Sequence, residues 1–153
     1  MTEQEHGSIP SRITILDSPV HPLMINFPTA FAWSAALADT AFALTKDPFW
    51  RRAADWLVRA EVATAAPAAT TGLVDFLLID KVRKHLIAWV HLLGMDFTFA
   101  LGVINWWQRR RSRDGGHGHL LALSWMGALS ISLFAYFGGK LAHVHGISVG
   151  KAD

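Results

Sequence analysis

The stretch HLIAWVHLLGMDFTFALGVINWW, residues 85–107, decides how the chain is read. Its only ionisable side chains are His85, His91 and Asp96. At 1.5 Å per helical residue, about 20 apolar residues cover a bilayer core of roughly 30 Å, so the stretch is long enough to cross. No period-2 alternation persists and Ala and Leu recur, which makes a strand a poor alternative. Working outward, LLALSWMGALSISLFAYFGG at 120–139 carries no formal charge. Pro22 to Leu44 holds one ionisable residue, Asp39, whereas Trp56 to Ile79 holds Arg59, Glu61 and Asp75.

These four runs predict an all-α integral membrane protein, a four-helix bundle of up-down topology. The expected spans are about 22–44, 56–79, 85–107 and 120–141, a transmembrane domain of 21–149 behind an extramembrane N-terminal arm of 1–20. The composition agrees. Of 153 residues, 52% are apolar and only 17% charged, against about 25% in a soluble domain, and the mean hydropathy is +0.27. The polar start lacks the basic region and small-residue cleavage pattern of a signal peptide. No internal repeat stands out, and only the loop from Gly115 to His119 is glycine-rich.

The absence of cysteine excludes disulfides, thiolate zinc, iron–sulfur clusters and covalently attached c-type haem. The net charge is +2, but the basic residues sit at the ends of apolar runs, where membrane topology uses them. Nucleic acid is therefore not an expected partner; the lipid bilayer is. Arg109, Arg110, Arg111 and Arg113 read as one such anchor, with Trp106 and Trp107 as an interfacial belt. Loops one and three hold seven Lys and Arg residues and the opposite side six. That small bias points to both termini outside the cytoplasm, and the expected location is a bacterial inner membrane.

Small residues mark the expected packing faces: Ala68 and Gly72, then Gly94, Thr98 and Gly102, then Ser124, Ala128 and Ser132. Such ridges let helix backbones approach closely in lipid. Pro28 and Pro67 are expected to kink their helices.

Histidine carries the chemistry. His6 falls in the arm, and His117 and His119 in the arginine-rich loop. The up-down connectivity places His21, His85, His91, His143 and His145 on one membrane side, with Asp75 and Asp80. His91 lies roughly 9 Å deeper than His85. An ionisable group at that depth normally faces the bundle interior with a partner. Imidazole there suits haem iron, a first-row metal ion or a proton relay. His91 is the first candidate axial ligand of a b-type haem, with Gly94 one turn on making room for it. The second ligand is expected from His21, His143 or His145, and the propionate partners from Arg12, Lys81, Arg83, Lys84 and Lys140. A zinc, copper or iron site could instead use His91, His21, His145 and Asp75.

The chain also resembles a known family. His21-Pro22 with Phe27-Pro28, Gly72-x-x-Asp75, His91, and Gly138-Gly139-Lys140-Leu141 followed by His145-Gly146-Ile147-Ser148-Val149 are similar to the four-helix membrane family catalogued as domain of unknown function 2231. Asn26 and Met95 stand where that family tends to carry histidine and asparagine. The resemblance implies electron transfer at a membrane beside Rieske or cytochrome-type partners, and favours His21, His91 and His145 over His85 and His143. The expected function is thus a haem-binding electron-transfer subunit, exchanging electrons with quinone or a redox partner subunit rather than working as a stand-alone enzyme. A metal-binding or proton-coupled transport protein and a cofactor-free assembly subunit are the alternatives.

Overall fold

The computed structural model of the chain describes residues 9–111 and 117–149. His6, Arg113, Gly115, Gly116 and Lys151 lie outside the described residues. Four long helices form the body: α2 (Asn26–Thr45), α3 (Pro48–Leu78), α5 (Leu86–Arg111) and α6 (His117–His143). A short α1 (Val20–Met24) precedes α2, and α4 (Asp80–Arg83) leads into α5. Helix α2 packs on α3 and α6, and α5 packs on α6 and α3, which closes the four into a ring.

Local chemistry sets the boundaries. Lys46 ends α2 in the left-handed region (φ 59°), its N–H returning to the Phe42 carbonyl. Asp47 then caps α3, accepting from the Phe49 N–H at 2.8 Å, and Pro48 occupies the first helical position. Pro67 lies inside α3.

The interior is built from small side chains. Ala32, Ala35, Ala36, Ala54 and Ala128 are buried almost completely, so the helices approach closely. The large apolar residues point the other way: Leu37, Leu73, Leu77, Leu93, Phe97, Ile104, Leu129 and Leu133 are exposed. A continuous apolar exterior of this kind calls for a nonaqueous surround. Helices α5 and α6 are each long and apolar enough to cross a membrane, with mean hydropathy 1.7. Among the described residues α2 and α3 do not meet that test, and α3 carries Arg51, Arg52, Asp55, Arg59 and Glu61.

The first apolar run is α1 and α2 joined at Ile25, whose backbone stays helical (φ −62°, ψ −20°), with Ile25 N–H reaching the His21 carbonyl and Thr29 N–H the Ile25 carbonyl. The arm is tied to the C-terminal segment. Its β1 (Ile9–Pro10) pairs in parallel with the C-terminal β4 (Ile147–Val149), and Ile9 N–H donates to the Gly146 carbonyl at 2.8 Å. The segment at 13–16 contributes β2 (Thr14–Ile15), which forms a tight hairpin with β3 (Ser18–Pro19). Below this cover Phe76, Ile79, Val82, Ala88, Leu141 and Ile147 form a compact apolar cluster.

Candidate functional site: a histidine pair between two hairpins

The covered end of the bundle holds His21 and His91, with ring centres 6.4 Å apart and planes at 78°. Each imidazole is fixed by the helix that closes its own hairpin. His21 Nδ1 lies 2.8 Å from the Ala68 carbonyl on α3, and His91 Nδ1 lies 2.8 Å from the Phe134 carbonyl on α6. A carbonyl only accepts, so both Nδ1 atoms carry the proton and each Nε2 keeps its lone pair. Neither Nε2 has a partner among the described residues.

A glycine one turn past each carbonyl makes room for the ring. A Cβ at Gly72 would stand 2.7 Å from His21 Cε1, and one at Gly138 would stand 2.6 Å from His91 Cε1. The carbonyl–glycine spacing is the same in both halves: Ala68 with Gly72, Phe134 with Gly138. The two hairpins therefore present their histidines in one repeated arrangement. The repetition is faintly written in the chain as His21-x-Leu23-x-x-Asn26-Phe27 against His91-x-Leu93-x-x-Asp96-Phe97, a signal too short to stand out by eye.

Both imidazoles line a cavity of about 580 Å³ that runs between α3 and α5, with Ala65, Ala69, Leu92, Met95 and Phe99 as apolar walls. Asp75, Asp96, His143 and Glu61 also line it, and among the described residues neither Lys nor Arg does. Asp75 is buried and accepts the Arg12 backbone N–H at 2.7 Å, which ties the arm to the site.

The other candidates are placed differently. His145 meets His85, ring centres 4.8 Å apart, and His143 is exposed at the cavity's edge. The set His91, His21, His145 and Asp75 does not assemble: among the described residues no group of three or more His, Asp or Glu side chains is placed to hold a metal ion. Gly94 is filled as well. A Cβ there would lie 2.0 Å from the Phe134 ring, so its smallness serves helix packing and clears no space for a cofactor.

Sequence reasoning missed a second polar centre at the opposite end. Arg109, read as part of a loop anchor, is buried on α5. Its guanidinium pairs with Asp39 of α2, donates to Asp55 of α3 at 3.0 Å, and bonds Asn105 and Ser124. Ser124 donates in turn to Asp39 at 2.6 Å. One charge thus joins all four long helices. The signal was present, since Asp39 in an otherwise apolar run demands an opposite charge.

A family model described as a predicted membrane protein (DUF2231) matches residues 17–151. The chain belongs to the DUF2231 family. The match includes both histidines, both glycines and the buried arginine network, so the DUF2231 chain carries its two polar centres within the family's own extent. No curated protein and no solved structure matches it.

Proposed function

We propose that this DUF2231 protein is a membrane electron-transfer subunit in which His21 and His91 are the two axial ligands of a b-type haem. The observation that carries the reading is the pair itself: two imidazoles, one from each hairpin, 6.4 Å apart between centres. A haem in the cavity would be held by these two residues, one from each hairpin. Donation of the second ring nitrogen to a backbone carbonyl is the support that ligating histidines commonly have, and it fixes both tautomer and ring orientation.

The residues present fit the group. The cavity of about 580 Å³ is of cofactor size. Among the described residues its walls carry no Lys or Arg, so propionate partners would come from outside this lining. A haem held there supplies one-electron transfer. The protein's own residues hold the rings still, exclude water through the cover of β1 and β4, and set the surrounding charge. All four long helices cross the membrane in this reading, with the arginine end on the cytoplasmic side and both termini opposite, and a quinone or redox partner subunit exchanges the electron.

The test is haem content. Haem-to-protein ratios in the purified wild type and in His21→Ala, His91→Ala, His85→Ala and His145→Ala should separate the pairs. Loss in the first two with retention in the last two supports the assignment. Equal retention in all four contradicts it.

A further inference from the structure

Glu61 has no place in the histidine site. It lies on α3, seven residues before Ala68 and eleven before Gly72, which sets it roughly 10–16 Å along the helix axis from the His21 contact. The residue is 7% exposed. Its carboxyl makes no hydrogen bond or ion pair with the described residues, yet it lines the inner end of the cavity that the imidazoles also line. Glycines open the niche it occupies. A Cβ at Gly102 on α5 would lie 3.2 Å from Glu61 Oε1, and one at Gly127 on α6 would lie 3.8 Å away.

A buried carboxyl without a partner is costly in its charged form. The cavity gives this one a route to protons, because its lining also carries Asp75, Asp96, His21 and His91. The other direction leads to the arginine network. Val58, one turn before Glu61 on α3, is fully buried, and beyond it Arg109 is held by Asp39 and Asp55. The Arg109 guanidinium is the fixed charge that bears on Glu61 from that side.

We infer that Glu61 is a proton-binding site reached through the histidine cavity, and that it takes up one proton when an electron enters the cavity. The second clause rests on the haem reading; the first does not. If a haem is held there, it would supply one-electron transfer from an external reductant, and the role of the Glu61 carboxylate would be to take up one proton from the medium. The added negative charge is thereby cancelled inside a poorly polarisable space.

Two arms test this on the detergent-purified full chain. A hydrophobic carbodiimide reacts with protonated carboxyls in apolar surroundings, and its adduct is located by mass spectrometry. Glu61 should be labelled at acidic and neutral pH, with labelling falling as the medium is made alkaline. Failure to label Glu61 at any pH overturns the proton site. In the second arm the midpoint potential is followed against pH. At pH values where labelling of the oxidised protein has fallen, the wild type should approach one proton per electron, Glu61→Gln should lose most of that slope, and Glu61→Asp should restore it. An unchanged slope in Glu61→Gln overturns the coupling. A protein without any redox transition removes the haem reading and the coupling with it, while the labelling arm still decides the proton site.

Discussion

His21 and His91 stand as counterparts, each donating Nδ1–H over 2.8 Å to a carbonyl four residues before the glycine against which its ring packs. Neither ring could be placed this way by its own helix alone. The closing helix of each hairpin fixes the orientation, and the contact between hairpins fixes the separation. That division explains why the chain needs four long helices to present two side chains.

Because the rings touch the glycine positions, Gly72→Ala and Gly138→Ala should each push an imidazole out of place. The expected loss of haem content is about tenfold or more, the scale of disrupting a ligand's support. Gly118→Ala is the control, since nothing lies within 4 Å of a Cβ there and it does not line the cavity. The haem-to-protein ratio of the three variants checks the prediction.

At Gly94 the added methyl meets the Phe134 ring at 2.0 Å. Gly94→Ala should cost about 1–3 kcal/mol by overpacking. Pairing it with Phe134→Leu should recover part of that loss, and thermal unfolding in detergent of the two singles and the double reads the coupling. Purely additive effects would mean that the contact is not the cause.

Breaking the Arg109 network should be the most destabilising single change. Arg109→Met strands Asp39, which is 3% exposed, at a cost of about 3–5 kcal/mol. Removing both charges with Asp39→Asn in the same chain should cost less than the arginine change alone. The unfolding midpoints of these variants decide it.

Asp75 holds the arm through the Arg12 N–H. Asp75→Leu should free the segment between β1 and α1, which limited proteolysis would detect as faster cleavage between residues 11 and 19. Asp75→Asn keeps an acceptor oxygen and should stay resistant.

The amino-acid sequence made some of this legible. The apolar runs at 85–107 and 120–139 became α5 and α6, because uninterrupted hydropathy is a local property that packing does not alter. The joint at Ile25 lies three residues before Pro28, the residue expected to kink this helix, which has no N–H to offer the Met24 carbonyl. Among the histidines, depth singled out His91 and resemblance favoured His21. The pairing of His145 with His85 depends on how the chain turns after α6, which no spacing encodes. Glu61 and Arg109 were passed over because each sat near charges that looked like a span's edge. Only the full length of α3 and α5 brings them inside.

The central claim is that the two histidines hold a redox cofactor, and the most direct measurement is a dithionite-reduced minus air-oxidised visible spectrum of purified protein from cells grown with ample iron and haem. The account predicts a Soret band with a sharp α-band at the b-type position, absent from His21→Ala and His91→Ala. A colourless wild-type protein, or a spectrum unchanged by both substitutions, would contradict it.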